Sequence, residues 1–303
     1  MKYQSNLPKG LFTATLTPLN DDLSVNLVGL MTHINRCLEY GSNGICLMGT
    51  TGEANSFSTL ERMNVLDEVI NAGIDPTILL VGTGTCTITD TIELTRHAVN
   101  QGVGGVLMLP PFFYKNLTNE GLIEYFRLVI EGVNNPDLKI YLYHFPQMTG
   151  VPFNLELIEK LIDEFPNEIV GMKDSSGDMA GMQAVSESLP GFQLFAGSER
   201  FLLNNLRCGG PGCISATFNA TIKYGVEVFN NWQEDNADEL QAKLTSVRAK
   251  FEICSFISGL KYLFSNWTDD ESWLNMRPPN ILPDREIQHQ LNSSLHKKDF
   301  IQD

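Results

Sequence analysis

Residues 43–73, NGICLMGTTGEANSFSTLERMNVLDEVINAG, join a short apolar run to a longer segment whose apolar residues recur at helical spacing. The run at 43–49 is typical of a buried strand, and the segment at 58–73 is typical of an amphipathic helix. Ser58 and Glu61 form a capping box, which marks the start of a helix. The stretch therefore predicts one strand–loop–helix unit.

The same unit recurs along most of the chain. Further strands are predicted at residues 10–18, 76–84, 104–110, 138–145, 168–174, 191–197 and 212–216, and further helices at 26–41, 87–102, 118–133, 154–165 and 178–189. Apolar strands without clean alternation indicate a parallel sheet that is covered on both faces. About eight such units predict an α/β fold, a closed (β/α)8 barrel. On pattern alone, an open doubly wound sheet remains the alternative.

The domain organisation follows from where this repetition stops. We expect residues 1–224 to form the barrel and residues 225–303 to form a C-terminal helical extension packed on it. The extension contains a proline-rich stretch, NMRPPNILP, and no linker or low-complexity segment separates it from the barrel. The two parts are therefore predicted to form a single structural unit.

Composition and charge limit the classes of partner. The chain has 303 residues and a formal net charge of −15, which disfavours binding to the phosphate backbone of a nucleic acid. No apolar run approaches the ~18 residues needed to cross a bilayer, and the N-terminal MKYQSNLPKG lacks the apolar core of a leader peptide. We expect a cytoplasmic protein with neither nucleic acid nor membrane as partner.

Neither a metal nor a cofactor is predicted. The six cysteines are scattered without a C-x-x-C pair, and the five histidines form no H-x-x-x-H motif. GTGT at 82–85 lacks the rest of a dinucleotide-binding fingerprint, and a G-x-S-x-G motif is absent. These observations disfavour metal-dependent, nucleotide-dependent and serine-hydrolase chemistry.

In a parallel barrel, functional groups lie at the carboxyl ends of the strands. Gly49, Thr50, Thr51, Gly52 and Glu53 follow the second strand. Glycines let a ligand approach the backbone, and adjacent N–H groups with two hydroxyls can hold a small carboxylate. A tight turn without a ligand is an equally good interpretation of these five residues.

Lys173 ends the sixth strand, and Tyr143 lies near the end of the fifth. By strand alternation Lys173 shares its face with Gly171 and Ile169, so an inward-facing lysine would have room beneath it at the glycine. Desolvation would favour the neutral amine, which attacks carbonyls. An ion pair with Asp174 is the alternative for a lone lysine, and Tyr143 could be a core aromatic residue.

Together, an amine nucleophile, a phenol and a carboxylate-binding loop at one rim are what a Schiff-base enzyme acting on a 2-oxo acid requires. The amine condenses with the ketone, and the protonated imine withdraws electrons from the adjacent C–C bond. The phenol would transfer protons near the same centre.

At these residues the chain resembles the dihydrodipicolinate synthase/N-acetylneuraminate lyase family of class I, pyruvate-dependent aldolases. The similar segments are GLFTATLTPLNDD, GTTGE, LYHFP, VGMKDSSGD, GCISATFN and RPP. The resemblance implies a (β/α)8 barrel with a C-terminal helical extension and, typically, a homotetramer. It implies Lys173 as the imine former, Tyr143 as the proton relay, and Thr50 and Thr51, beside Gly49, as carboxylate binders.

The departures from the family pattern concern the substrate. His144 replaces the asparagine of the Tyr-Asn-x-Pro motif and by alternation faces away from Tyr143. The synthases usually have an arginine where this chain has Met148, and methionine cannot pair with a carboxylate. Their second tyrosine corresponds in register to Phe113, with Tyr114 one residue away. We therefore expect poor synthase activity.

The favoured function is a carbon–carbon lyase that cleaves or forms a 2-keto-3-deoxy sugar acid, or a similar hydroxylated 2-oxo acid, through a pyruvate imine. The expected substrate-binding residues beyond the threonines are Ser175, Gly197, Glu199 and Ser215. The alternatives are 4-hydroxy-tetrahydrodipicolinate (dihydrodipicolinate) synthase, an imine-dependent dehydratase or deaminase, and a non-catalytic binder of oxo acids.

Overall fold

The computed structural model describes residues 7–301. Residues 1–6 and 302–303 lie outside this range, so the N-terminal stretch inspected for a leader and the outer ends of the two predicted parts are described only in part. None of the helices within residues 7–301 is both long and apolar enough to cross a membrane.

Eight parallel strands form a closed barrel in chain order, with β1 paired to both β2 and β8. The strands are β1 (Gly10–Ala14), β2 (Gly44–Leu47), β3 (Leu79–Gly82), β4 (Gly105–Met108), β5 (Ile140–His144), β6 (Ile169–Asp174), β7 (Gln193–Ala196) and β8 (Gly212–Ser215). The predicted (β/α)8 barrel is confirmed, and the pairing of β1 with β8 excludes the open sheet.

Twelve α-helices lie within the described residues. They are α1 (Leu27–Glu39), α2 (Thr59–Asn71), α3 (Ile88–Asn100), α4 (Asn119–Val133), α5 (Pro146–Thr149), α6 (Leu155–Glu164), α7 (Met179–Ser188), α8 (Leu202–Arg207), α9 (Phe218–Asn230), α10 (Ala237–Ala249), α11 (Phe256–Thr268) and α12 (Arg285–Ser294). The capping box predicted at the start of α2 is present, because the Glu61 carboxylate accepts from Ser58 N and Ser58 Oγ accepts from Glu61 N.

The strands end earlier than their apolar runs. β1 stops at Ala14, although the predicted run continues to residue 18, and β2 stops at Leu47, because Met48 has a left-handed backbone with φ of 49°. Residues after these points stay apolar or buried because they enter the rim. The GTTGE segment therefore lies in the rim, beyond the last residue of β2.

The strands pack against apolar side chains on both faces, inside the barrel and outside it. Side chains facing the barrel axis form a compact interior cluster: Phe12, Ala14, Cys46, Leu80, Leu107, Tyr141, Tyr143, Val170, Phe195 and Ile214. Alternate strand residues pack outward against the helices in a larger cluster. The barrel interior below the rim is thus filled with apolar side chains.

The C-terminal helices pack on one side of the barrel. Leu16, just after β1, and Ala220 on α9 lie in one apolar cluster with residues of α11 and α12. The helix α9 itself runs through the predicted boundary at 224/225. The boundary between barrel and extension therefore remains a prediction, but the chain is helical across it.

Candidate active site

Lys173 and Tyr143 lie side by side on neighbouring strands and face the barrel interior. They are paired in register between β6 and β5, and Lys173 Nζ lies 4.5 Å from the centroid of the Tyr143 ring. Both side chains are about 95% buried, with relative exposures of 5% and 4%. This contact places an amine and a phenol ring at the upper end of the barrel core.

Lys173 has no ion-pair partner within residues 7–301. The neighbouring Asp174 faces the opposite side of β6, where its carboxylate accepts hydrogen bonds from Ser176 N at 2.7 Å and Ser176 Oγ at 2.5 Å. The ion pair considered as the alternative for Lys173 is therefore not formed. A buried amine without a carboxylate partner is available for another role.

A β-bulge sets the direction of Lys173. Ile140 pairs with Ile169, whereas Tyr141 pairs with Gly171, so β6 carries one extra residue, Val170. Because of this residue, Ile169 packs outward against the helices although Lys173 faces inward. The expectation that Ile169 shares a face with Lys173 was wrong, since simple alternation does not allow for a bulge.

The space at Gly171 accommodates the ring of Tyr141 and not, as predicted, the side chain of Lys173. A Cβ atom at this position would lie 2.6 Å from Cδ1 of Tyr141, so the missing side chain accommodates the tyrosine ring. Lys173 therefore lies above a filled layer, and its amine is held at the rim instead of extending down the barrel. The predicted room beneath the lysine is occupied.

The GTTGE loop presents unused hydrogen-bond donors. Among the described residues, no partner is found for the backbone N–H groups or the hydroxyls of Thr50 and Thr51. Gly52 lies close to the chain after β1, and its carbonyl accepts from Thr17 Oγ1 at 3.0 Å. This hydrogen bond holds the loop to the chain after β1. The N–H and hydroxyl donors without a partner can bind a small carboxylate.

The last residue of the loop is held by the C-terminal part of the chain. Glu53 has a left-handed backbone, with φ of 59°, and a fully buried carboxylate. Its Oε1 accepts from Lys261 Nζ at 2.5 Å, and its Oε2 accepts from Arg277 N at 3.3 Å. Lys261 also donates to Asn275 O at 2.8 Å. Sequence reasoning missed Lys261, although a lysine within the apolar run FISGLKYLF was a usable signal.

Ser175 and Gly197 meet at the rim between β6 and β7. Gly197 N donates to Asp174 O at 2.6 Å, and any side chain at Gly197 would collide with Ser175. Both residues are partly exposed. They therefore remain candidates for contact with a substrate.

Glu199 and Ser215, expected to bind substrate, lie in a closed polar network instead. The carboxylate of Glu199 is fully buried and accepts from Ser215 Oγ at 2.5 Å, from Thr217 Oγ1 at 2.5 Å and from Thr221 Oγ1 at 2.7 Å. The guanidinium of Arg248 lies 3.5 Å from the same carboxylate. Both carboxylate oxygens thus accept hydrogen bonds from the chain itself, and the Ser215 hydroxyl donates within the same network.

The structure also shows the surroundings of the residues that depart from the family pattern. His144 is buried on the outer face of β5, where its Nδ1 accepts from Phe153 N at 3.0 Å, as expected for a packing role. Met148 is 65% exposed, and the nearby Lys115 Nζ donates to the carbonyl of Thr149 at 2.5 Å. Phe113 and Tyr114 are both exposed and contact each other edge to face, with ring centroids 5.4 Å apart.

Comparisons with known proteins agree with this arrangement. Residues 7–298 match the model of the dihydrodipicolinate synthetase family. An uncharacterized DapA-like lyase of Chloroflexus aurantiacus is 34% identical over 278 residues, which is 91% of this chain and 92% of that protein. Dihydrodipicolinate synthase from Agrobacterium tumefaciens superimposes with a TM-score of 0.87 at 28% identity, covering 95% and 98% of the two chains.

A third relative was solved with a small molecule. YagE, a prophage protein of the dihydrodipicolinic acid synthase family from E. coli K12, was crystallised in complex with pyruvate. It is 25% identical to this chain with a TM-score of 0.87, and the match covers 97% and 99% of the two chains.

The barrel, its rim and these matches define the class of protein as a carbon–carbon lyase of the class I aldolase type. The chain belongs to the dihydrodipicolinate synthetase family, which confirms the resemblance found in the sequence.

Proposed function

We propose that the protein cleaves, or in reverse forms, a hydroxylated 2-oxo acid through an imine on Lys173. The observation that carries the proposal is the buried Lys173 amine, which has no ion-pair partner in the described chain and lies against Tyr143 at the rim. An amine at this position can attack the carbonyl carbon of a bound 2-oxo acid.

The proposed reaction passes through an imine and an enamine. The Lys173 amine attacks C2 of the 2-oxo acid, and loss of water gives a protonated imine. A base, for which we propose Tyr143, takes the proton of the C4 hydroxyl while the protonated imine accepts the electron pair of the C3–C4 bond, so an aldehyde leaves and an enamine of pyruvate remains. Protonation at C3 and hydrolysis then release pyruvate and restore the amine. Each step requires a proton donor or acceptor beside C2 to C4.

The C1 carboxylate of the substrate would bind to the GTTGE loop. The unpaired N–H groups and hydroxyls of Thr50 and Thr51 offer several donors to one anion. Binding there would hold C2 near Lys173, which converts imine formation into an effectively intramolecular step. Because Gly49 has no side chain, a ligand can also approach the backbone of the loop at this residue.

Tyr143 is proposed as the proton relay. We expect Tyr143→Phe to lower kcat by about 10²- to 10⁴-fold, because positioned acid–base catalysis contributes that much. The variant should still form some imine with pyruvate, because the Lys173 amine is retained. Steady-state kinetics with borohydride trapping would measure both effects. Tyr141→Phe is the matched control, since the Tyr141 hydroxyl is buried without a partner in the barrel. Full kcat in Tyr143→Phe would contradict the relay role.

A 2-keto-3-deoxy sugar acid is the favoured substrate. Met148 stands where the synthases have an arginine, and both Phe113 and Tyr114 are exposed. Ser175 and the backbone at Gly197 can hydrogen-bond hydroxyls of an extended chain. Dihydrodipicolinate synthase remains the second candidate, because the similar Agrobacterium tumefaciens structure carries that name.

A direct comparison of substrates separates these candidates. We expect cleavage of 2-keto-3-deoxygluconate with release of pyruvate, and little condensation of pyruvate with aspartate semialdehyde, because the synthase-type cation is absent. Coupled spectrophotometric assays would measure both rates. Substantial turnover of aspartate semialdehyde would favour the synthase, and a product other than pyruvate would favour a dehydratase or deaminase.

One labelling experiment tests the shared mechanism. The protein is incubated with pyruvate and borohydride, digested, and mapped by mass spectrometry. A reduced pyruvate adduct on Lys173 is expected, and no mass gain there would exclude the imine mechanism and favour a non-catalytic oxo-acid binder. A homotetramer remains part of the proposal, and sedimentation equilibrium of the same sample would give the stoichiometry.

A further inference from the structure

His144, which replaces the asparagine of the family pattern, lines a cavity on the outer side of β5 and β6. The cavity has a volume of about 420 Å³, within the range of small-molecule sites, and it is also lined by residues of α7 and of the chain that enters α6. His144 pairs in register with Asp174, and Tyr143 pairs with Lys173 one residue earlier. Because successive strand residues face opposite sides of a sheet, the β5–β6 pair separates this cavity from the proposed active site.

The surrounding chain determines which nitrogen of His144 carries the proton. Phe153 N donates to Nδ1 at 3.0 Å, so Nδ1 has no proton of its own. Burial lowers the pKa of His144, and the Asp174 carboxylate opposes that change, so the ring is neutral at neutral pH and Nε2 carries its proton. This N–H has no acceptor within residues 7–301, although the side chain is only 8% exposed.

Asp174 presents a second polar atom without a partner. Its Oδ1 accepts from Ser176 N at 2.7 Å and from Ser176 Oγ at 2.5 Å, but no group of the described chain donates to Oδ2. The residue is only 5% exposed. Oδ2 and His144 Nε2 both retain some accessible surface, and both residues line the cavity, so the two atoms are open to it. Buried polar groups normally have partners, and a ligand with matching groups would supply them here.

The charge of the cavity favours a cation. Asp178, the exposed N-cap of α7, adds a second carboxylate, and neither lysine nor arginine is among the described residues that line the cavity. Burial raises the pKa of Asp174, so a cation bound at Oδ2 would stabilise the charged carboxylate. The rest of the wall is largely apolar and includes the buried side chains of Phe153, Met172 and Val185.

We propose that this cavity binds a small organic cation, a protonated amine that also carries a hydrogen-bond-accepting oxygen and an apolar body. The ammonium group would donate to Asp174 Oδ2 and lie near the Asp178 carboxylate, and the oxygen would accept from His144 Nε2. The apolar body would pack against Phe153 and Met172. A metal ion does not match this set of atoms, because the protonated Nε2 has no free lone pair. The inference does not depend on the proposed lyase function.

Three probes test this proposal. They are leucinol, which has an amine, a hydroxyl and an isobutyl group, 4-methylpentan-1-ol, which lacks the amine, and 4-methylpentan-2-amine, which lacks the hydroxyl. Titrations followed by saturation-transfer NMR would measure the Kd of each. In the wild-type protein, loss of the amine should raise Kd about 10- to 100-fold and loss of the hydroxyl about 3- to 10-fold, because charge-assisted hydrogen bonds are the stronger ones. No binding of leucinol, or equal Kd values for the three probes, would overturn the proposal.

Two substitutions connect each probe group with its partner. Asp174→Asn keeps an oxygen that can accept from Ser176, and it should raise the Kd of leucinol about 10- to 100-fold while that of 4-methylpentan-1-ol is unchanged. His144→Asn introduces the residue of the family pattern, whose oxygen can accept from Phe153 N. It should raise the Kd of leucinol to about that of 4-methylpentan-2-amine, whose own Kd should not change. Equal changes for all three probes would indicate a packing role and overturn the proposal.

Asp22→Asn is the matched control. The Asp22 carboxylate accepts from Ser24 N at 2.9 Å and from Ser24 Oγ at 2.5 Å, as Asp174 does from Ser176, but Asp22 is exposed and does not line the cavity. The Kd of leucinol should be unchanged in this variant. It should also be unchanged in Lys173→Ala, because the β5–β6 pair separates the cavity from that amine. Loss of leucinol binding in either variant would mean that the probe binds elsewhere and would overturn the proposal.

Discussion

Lys173→Ala is expected to lower kcat by about 10⁴-fold or more, because the variant lacks the atom that forms the covalent intermediate. The same change should abolish the pyruvate adduct seen after borohydride treatment. It should not lower thermal stability, because Lys173 has no carboxylate partner in the described structure that would be left unpaired. Steady-state kinetics, adduct mapping and thermal unfolding measure these three outcomes.

The chain offers a matched control for this experiment. Lys223 also lies over a tyrosine ring, with its Nζ 3.7 Å from the centroid of Tyr40, but it is on α9 and away from the rim. Lys223→Ala should therefore retain both kcat and the adduct. Lys173→Arg keeps the positive charge and should be as inactive as the alanine variant. Turnover in Lys173→Ala within tenfold of wild type would refute the covalent mechanism.

Lys261→Met is expected to reduce the free energy of unfolding by about 3–5 kcal/mol, because it leaves the carboxylate of Glu53 buried without its counter-charge. Both side chains of this pair are fully buried, and Nζ lies 2.5 Å from the carboxylate. The KM for pyruvate should also rise, because Glu53 ends the loop whose threonines are proposed to bind the carboxylate. Urea denaturation and steady-state kinetics measure the two effects.

An exposed ion pair provides the comparison. Lys243 and Glu227 lie 3.2 Å apart on the surface, so Lys243→Met should cost at most about 1 kcal/mol. The double variant Glu53→Gln with Lys261→Met removes both charges and should lose less stability than Lys261→Met alone. If Lys261→Met were as stable as Lys243→Met, the ion pair would not be holding the loop.

The sequence predicted the architecture better than the limits of its elements. Strand–helix alternation and helix caps such as Ser58 depend on local residue patterns, so eight units and a closed barrel could be inferred. The ends of β1 and β2 could not, because Leu16 and Met48 are apolar residues of the rim and read as strand. Apolar character reports burial, and burial continues beyond the last strand pair.

For the candidate site, too, some features could be predicted from the sequence and others could not. The proximity of Lys173, Tyr143 and Thr50 could be predicted because a parallel barrel brings the ends of its strands together, and their roles remain proposals. The network around Glu199 could not be predicted, because the partners of its carboxylate come from three later segments and a tertiary network has no short signature.

The bulge in β6 makes the direction of Lys173 depend on backbone geometry as well as on residue type. Ile169 packs outward and Lys173 faces inward, although the two residues are four positions apart, because Val170 is an extra residue in the strand. A regular strand of the same sequence would place both residues on one face, so either Ile169 would enter the barrel or the amine would point at the helices. A search for active relatives should therefore align this strand at Lys173 and its partner Tyr143, and not by alternation from the start of the strand.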